Sequence, residues 1–136
     1  MPNLRLKSVA LATLLAATLG TALAADLKLT GDQEVPSNTS TAVGTGTITV
    51  AADGAVSGSV SAPGLAGTAA HIHVAAAGAN GPVIIPLTGG PGNTWTVPAG
   101  AKLTAEQLDA YKAGNLYVNI HSAEHKGGEI RAQIKP

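Results

Sequence analysis

Apolar and polar residues alternate along most of the chain after residue 25, in short runs separated by glycine and proline. A period of two is typical of β-strands, because successive side chains in a strand point to opposite faces. The pattern predicts strands near residues 27–29, 43–50, 56–60, 69–74, 83–87, 94–97, 116–121 and 129–134. Asp53 and Gly54 predict a hairpin turn between the second and third of these, since Asp-Gly readily takes positive φ.

One segment, residues 104–114, has a helical pattern instead. Thr104 can cap the helix, with Gln107 three residues later in a capping box. Leu108 and Tyr111 lie one turn apart, and Gly114 can end the helix in a left-handed conformation. Closely spaced strands with a single short helix predict an all-β domain, either an antiparallel β-sandwich or a barrel.

The first 24 residues have the order of a secretory signal peptide. Arg5 and Lys7 precede an apolar run over residues 9–19, and small residues flank the expected cleavage site after about Ala24. The run is shorter than the roughly 20 apolar residues that span a bilayer, which favours cleavage over the alternative of an uncleaved membrane anchor. The sequence therefore predicts an exported protein, periplasmic or extracellular, with residues 25–136 as one mature domain and no membrane span within it.

Composition narrows the chemistry of this domain. The sequence contains no Cys, which excludes disulfides and thiolate metal sites, and its few aromatic residues are Trp95, Tyr111 and Tyr117. Without Arg5 and Lys7, the eight Lys and Arg residues fall to six, against eight Asp and Glu. Since there is neither a basic stripe nor an aromatic platform, nucleic acid is not an expected partner.

All four histidines lie in two short stretches. His71 and His73 are two residues apart on a predicted strand, so their imidazoles share one face, and Asn119 and His121 share a face in the same way. His125 follows in the next turn. If the two strands are neighbours, three or four imidazoles converge. Imidazoles without thiolates suit copper or zinc, and Cu(II) is the stronger binder of the two.

Two interpretations of these histidines remain open. One is a mononuclear metal site, with copper favoured over zinc and with neutral imidazoles required for binding. The other is a structural or adhesive envelope module, in which the histidines and Asn119 form a hydrogen-bonded polar layer that fixes strand register. A dismutase-like oxidoreductase is the weakest alternative. No residue is predicted to be catalytic, because no two carboxylates have the spacing of an acid–base pair and the sequence contains no Gly-x-Ser-x-Gly motif.

The carboxylates suggest structural contacts. Glu129 and Arg131 lie two apart on a predicted strand and so share a face, where an ion pair is expected. Glu34 is a second candidate partner for Arg131.

Several motifs occur in an order that resembles CHRD domains, which were first noted in chordin and are found in many bacterial exported proteins. They are Gln33-Glu34-Val35-Pro36, Ala70-His71-Ile72-His73, Asn80-Gly81-Pro82-Val83, and residues 103–107, 114–121 and 127–133. The resemblance covers about residues 26–134. It implies a stand-alone exported module of a family whose biochemical role is uncertain, and it identifies no protein partner.

The histidine-bearing strands are also similar to the copper strands of Cu/Zn superoxide dismutases. That similarity implies an antiparallel Greek-key-like β-sandwich, with His71, His73 and His121 as copper ligands and His125 as a fourth candidate. The chain lacks the cysteine pair and the separate histidine-rich loop of those enzymes. The similarity therefore implies only a mononuclear site, and dismutase activity is not carried over to this chain.

Overall fold

The computed structural model describes residues 23–136. In this part of the chain there are nine strands, a 3-10 turn at Gly31–Gln33 and one α-helix. The strands are β1 (Leu23–Leu29), β2 (Gly44–Val50), β3 (Val56–Ser61), β4 (Gly67–Val74), β5 (Val83–Pro86), β6 (Thr88–Gly90), β7 (Thr94–Thr96), β8 (Leu116–Ser122) and β9 (Ile130–Ile134), and the helix is α1 (Ala105–Lys112). The predicted signal peptide lies outside the described residues, apart from Leu23 and Ala24, which begin β1.

The strands form two antiparallel sheets, with the orders β1-β2-β3-β7-β6 and β5-β4-β8-β9. Apolar side chains from both sheets form one buried core. Its members include Leu29, Ile48, Val60, Ile72, Val118, Ile120, Ile130 and Ile134, each no more than 1 % exposed. The predicted all-β sandwich is confirmed.

The locally encoded elements agree with the predictions. β2 and β3 form a hairpin, and Gly54 in its turn has a φ of 90°. Helix α1 starts at Thr104, whose side chain accepts a hydrogen bond from the Gln107 N–H while the Gln107 side chain accepts one from the Thr104 N–H. Gly114, just past the helix, has a φ of 78°.

The glycine-rich segment after β5 forms a strand where the pattern predicts only a connection. In β6, Gly89 lies opposite Trp95 of β7. A Cβ at Gly89 would lie 2.8 Å from the Trp95 ring, so the missing side chain makes room for the indole. Because glycine lacks the branched side chains that mark a strand, the pattern does not identify β6.

The two histidine-bearing strands, β4 and β8, are neighbours in the four-stranded sheet. His71 lies opposite Asn119, His73 opposite Tyr117, and Ala69 opposite His121. The intervening side chains, such as Ile72, point into the core. The alternation therefore turns the histidines to the other side of the sheet.

Candidate metal centre

Polar and aromatic side chains cover the face of the four-stranded sheet that points away from the core. We call this set the outer layer: His71, His73, Tyr117, Asn119, His121, Arg131 and Gln133. Much of it is buried; His73 is 7 % exposed and Asn119 is 2 % exposed. Two loops, residues 75–81 and residues 126–127, fold over the layer. Their backbone carbonyls accept hydrogen bonds from its side chains.

His71 and His121 contact each other across β4 and β8, with 3.0 Å between Nδ1 of His71 and Nε2 of His121. His121 Nδ1 lies 2.8 Å from the carbonyl oxygen of Lys126, to which it can only donate. A neutral imidazole carries one N–H, so this partner assigns the proton of His121 to Nδ1. The lone pair of its Nε2 then faces His71.

His73 is held on both of its ring nitrogens. Nδ1 donates to the carbonyl oxygen of Gly81 at 2.9 Å, while Nε2 lies 2.9 Å from Oδ1 of Asn119. A neutral His73 that donates from Nδ1 has no proton left on Nε2. Its lone pair therefore faces an acceptor oxygen, an arrangement that a bound cation would satisfy.

Burial lowers the pKa of both His71 and His73. The neighbouring histidines lower the pKa of His71 further, whereas the Gly81 carbonyl and Asn119 partly oppose the effect at His73. Both rings are consequently neutral at pH 7, which is the form that binds a metal ion.

Tyr117 fixes the plane of the His73 ring. The two rings are stacked, with centroids 4.6 Å apart and planes 4° apart. The Tyr117 hydroxyl accepts a hydrogen bond from the Gly81 N–H at 3.1 Å, and the Arg131 guanidinium lies 3.4 Å from the centre of the same tyrosine ring. This stack leaves His73 little freedom to turn, which favours a preformed site.

The three histidines form a group of metal-binding size. Their ligand atoms all lie within 4.8 Å of one another. Nitrogens bound at about 2.0–2.1 Å to one metal ion are roughly 3–4 Å apart. Small side-chain rotations would therefore allow His71, His73 and His121 to hold a single ion.

His125, the fourth candidate, lies in a different group. Its ring nitrogen is within 4.8 Å of carboxylate oxygens of Glu124 and Glu129 and is not grouped with the three other imidazoles. Glu129 accepts hydrogen bonds from the hydroxyls of Ser122 at 2.6 Å and Ser40 at 2.7 Å. The structure thus brings together three of the four sequence-predicted ligands.

The guanidinium of Arg131 donates its hydrogen bonds to uncharged acceptors. It donates to the carbonyl oxygens of Ala79 at 2.7 Å and Ala76 at 3.4 Å, and to Oδ1 of Asn80 at 3.3 Å. The expected pairing with Glu129 is replaced by these contacts and by the tyrosine ring. Arg131 therefore anchors the loop over residues 76–80 to the outer layer.

Glu34 is a buried carboxylate that lies beside Asn119. Its position in the sequence does not predict that it lies near the histidines. It is 4 % exposed, and its Oε1 has no hydrogen-bond partner among the described residues. Burial raises its pKa to about 7, although the Asn119 amide and the Arg131 charge act in the opposite direction. Gly128, with a φ of 126°, permits the close approach, since a Cβ there would collide with the Asn119 amide nitrogen and both Glu34 oxygens.

Comparison with known proteins agrees with the motifs. The family model of the CHRD domain matches residues 26–134, which include every residue of the three-histidine group. The chain belongs to the CHRD domain family. CHRD domains are typically extracellular modules.

No curated protein and no solved structure matches the chain. Across residues 23–136 of this CHRD domain, no helix is both long enough and apolar enough to cross a membrane.

Proposed function

We propose that this CHRD domain is an exported metal-binding module that holds one copper ion through His71, His73 and His121. The observation that supports it is the approach of three imidazoles, from two adjacent strands, to within 4.8 Å of one another. Each comes from a regular strand of a packed sheet, so the sandwich itself fixes the spacing of the ligands.

The hydrogen bonds behind the cluster support the same function. Metal-binding histidines usually donate their second ring N–H to a carbonyl or carboxylate, which fixes the tautomer and the ring orientation. His73 donates in this way to Gly81, and His121 donates to Lys126. In both residues this leaves Nε2 free to bind a metal ion.

The donor set favours copper over zinc. The sequence contains no Cys, so the ligands are imidazoles, and Cu(II) binds to nitrogen ligands more tightly than Zn(II) does. The predicted signal peptide and the extracellular character of the family support a location outside the cytoplasm. The function that follows is to bind, buffer or carry copper there.

A titration with Cu(II) tests this function. The protein is expressed from its full sequence in an exporting bacterial host and purified without a histidine tag; N-terminal sequencing then tests cleavage after Ala24. We expect about one Cu(II) per chain and an electron paramagnetic resonance spectrum with nitrogen couplings.

The matched variants are His71→Ala combined with His73→Ala, and His125→Ala. The double variant is expected to lose the nitrogen-coupled spectrum, whereas His125→Ala is expected to keep it, because His125 lies outside the three-histidine group. A folded wild-type protein that does not bind Cu(II) at neutral pH would rule out the proposed function.

The hydrogen bonds also favour a second candidate function, a structural polar layer. The hydrogen bond between His71 and His121 joins β4 to β8 without any metal ion. Such a layer fixes strand register in a structural or adhesive module. It predicts that the double variant loses stability in metal-free buffer and that the wild type gives no nitrogen-coupled copper spectrum.

A further inference from the structure

We propose that Asn119 completes the copper centre as a fourth ligand through Oδ1, giving a site of three nitrogens and one oxygen for Cu(II). This inference rests on the proposed function, because it concerns the same ion. It adds a residue of a different chemical class, and that residue sets the coordination geometry.

Asn119 belongs to the same patch of sheet as the three histidines. It shares the outward face of β8 with His121 and lies directly opposite His71 on β4. The close contacts run along two parallel diagonals of this patch, His71 with His121 and His73 with Asn119. The three imidazoles and the Asn119 amide therefore lie on one patch of the outward face.

The distances along the diagonals are those of neighbouring ligands in a tetragonal site. Two atoms bound at about 2.0–2.1 Å to one metal ion, at about 90° to each other, are roughly 2.9 Å apart. The His71–His121 nitrogens are 3.0 Å apart, and the His73 nitrogen is 2.9 Å from the Asn119 oxygen. Tetragonal coordination by nitrogen and oxygen is typical of Cu(II).

Acceptors on the far side of the Asn119 amide turn its oxygen toward the cluster. Nδ2 lies 3.5 Å from the carbonyl oxygen of Gly127 and next to the Glu34 carboxylate. Rotating the amide by 180° would place Oδ1 against the Gly127 carbonyl oxygen, which can only accept a hydrogen bond. Oδ1 therefore stays directed at His73 Nε2, where two electron-pair donors face each other and a shared cation would use both.

Other oxygens around the cluster are less available. The carbonyl oxygens of Gly81 and Lys126 already accept hydrogen bonds from His73 and His121. The carboxylates of Glu124 and Glu129 belong to the separate group that contains His125. Asn119 thus contributes the oxygen that faces the imidazoles.

Isotope labelling combined with copper resonance spectroscopy tests this ligand. The full-length protein is produced by cells supplied with asparagine that carries carbon-13 in its side-chain carbonyl. The purified protein is then loaded with Cu(II). We expect a copper–carbon-13 coupling beside the imidazole nitrogen couplings. In labelled Asn119→Asp, the imidazole couplings are expected to remain and the carbon-13 coupling to disappear, which excludes the other asparagines as its source.

Affinity gives a second readout. Asn119→Asp keeps an oxygen ligand and adds a negative charge, so Cu(II) binding is expected to be at least as tight as in the wild type. Asn119→Ala removes the oxygen and is expected to weaken binding at least about 10–100-fold, the range for loss of a group that hydrogen-bonds to a metal ligand.

The outcomes separate this inference from the proposed function. Imidazole couplings without a carbon-13 coupling in the labelled wild type would overturn Asn119 as a ligand and leave the three-histidine site intact. No Cu(II) binding by the folded wild type would overturn both. The labelled wild type decides the question even where a variant fails to fold.

Discussion

The inner and outer faces of the four-stranded sheet are both buried, but for different physical reasons. On the inner face, Ile72, Val118 and Ile120 are 0–1 % exposed because they pack against the opposite sheet. On the outer face, His73 and Asn119 are nearly as hidden because loop carbonyls and neighbouring side chains bind their polar atoms. Apolar burial scales with area, whereas polar burial requires specific partners.

This difference predicts that substitutions on the two faces have different effects. A core made of aliphatic side chains tolerates swaps that conserve volume, since no directional contact is lost. The outer layer does not, because its imidazoles and the Asn119 amide make directional contacts through specific atoms. Substitutions on the inner face should change stability, and those on the outer face should change copper binding.

The largest effect on stability is expected for Ile120→Ala on the inner face. Ile120 is completely buried, and removing such a side chain leaves a cavity that costs about 2–5 kcal/mol. Chemical denaturation of the metal-free protein measures this loss. Copper binding by the folded fraction is expected to be retained.

His121→Ala is the matched variant on the other face of the same strand. Its loss of stability is expected to be about 2 kcal/mol, the net value of its two hydrogen bonds, with His71 and Lys126, while one imidazole disappears from the copper spectrum. A His121→Ala protein with wild-type copper coupling would break the assignment of the outer layer to metal binding.

The buried carboxylate of Glu34 predicts a pH-dependent stability of the metal-free protein. Its pKa is raised from 4.5 in the unfolded chain to about 7 in the folded chain, so the folded state is favoured when the group is protonated. This contribution to stability is complete below about pH 4.5 and is lost as the pH rises through 7. The loss amounts to about 3 kcal/mol.

Glu34→Gln isolates this effect, because Gln does not ionise and the other titrating groups are common to both proteins. Unfolding free energies of the two proteins, measured from pH 4 to 8, are expected to diverge in favour of Gln at high pH. Parallel curves would contradict the burial of an unpartnered carboxylate.

Gly128→Ala is expected to cost about 1–3 kcal/mol, since Gly128 has a φ of 126° and a Cβ would collide with Asn119 and Glu34. Gly127→Ala is the control, because nothing lies within 4 Å of its Cβ position, and its change should stay within about 0.5 kcal/mol. Denaturation curves of both variants give the comparison. Equal effects at the two glycines would show that the approach of Glu34 to Asn119 is not tight.

The smallest effect is expected for Tyr117→Phe. The ring keeps its stacking on His73, but the hydrogen bond from the Gly81 N–H is lost, at about 1 kcal/mol. Tyr111→Phe is the control, because within residues 23–136 no hydrogen bond involves the Tyr111 hydroxyl. Thermal unfolding should therefore separate the two variants.

The parts of the fold that were predictable depend on local chemistry. The Gly54 turn and the Thr104 capping box involve residues close in sequence, and alternation assigned His71 and His73 to one face. The pairing of β4 with β8 joins residues about 50 positions apart, so local patterns do not predict it. The sequence offered it only as the arrangement that would bring the histidines together, and the structure contains it. The strand β6 was missed because glycine carries no strand signal.

The loops that cover the outer layer were not predictable from alternation. Period two indicates which residues point away from the core, but it does not show that loops then cover them. The position of Glu34 beside the outer layer depends on its contact with Asn119, 85 positions away in sequence. It also depends on Gly128, whose missing side chain leaves room for both groups. For Asn119, the available signal was the face it shares with His121.

The position of bound copper decides whether His71, His73 and His121 hold one ion. A crystal of the copper-loaded protein, measured at the copper absorption edge, locates the ion by anomalous scattering. We predict one peak about 2.0–2.2 Å from a ring nitrogen of each of His71, His73 and His121. A peak at the Glu124, His125 and Glu129 group instead, or no peak near the three imidazoles, would contradict the account.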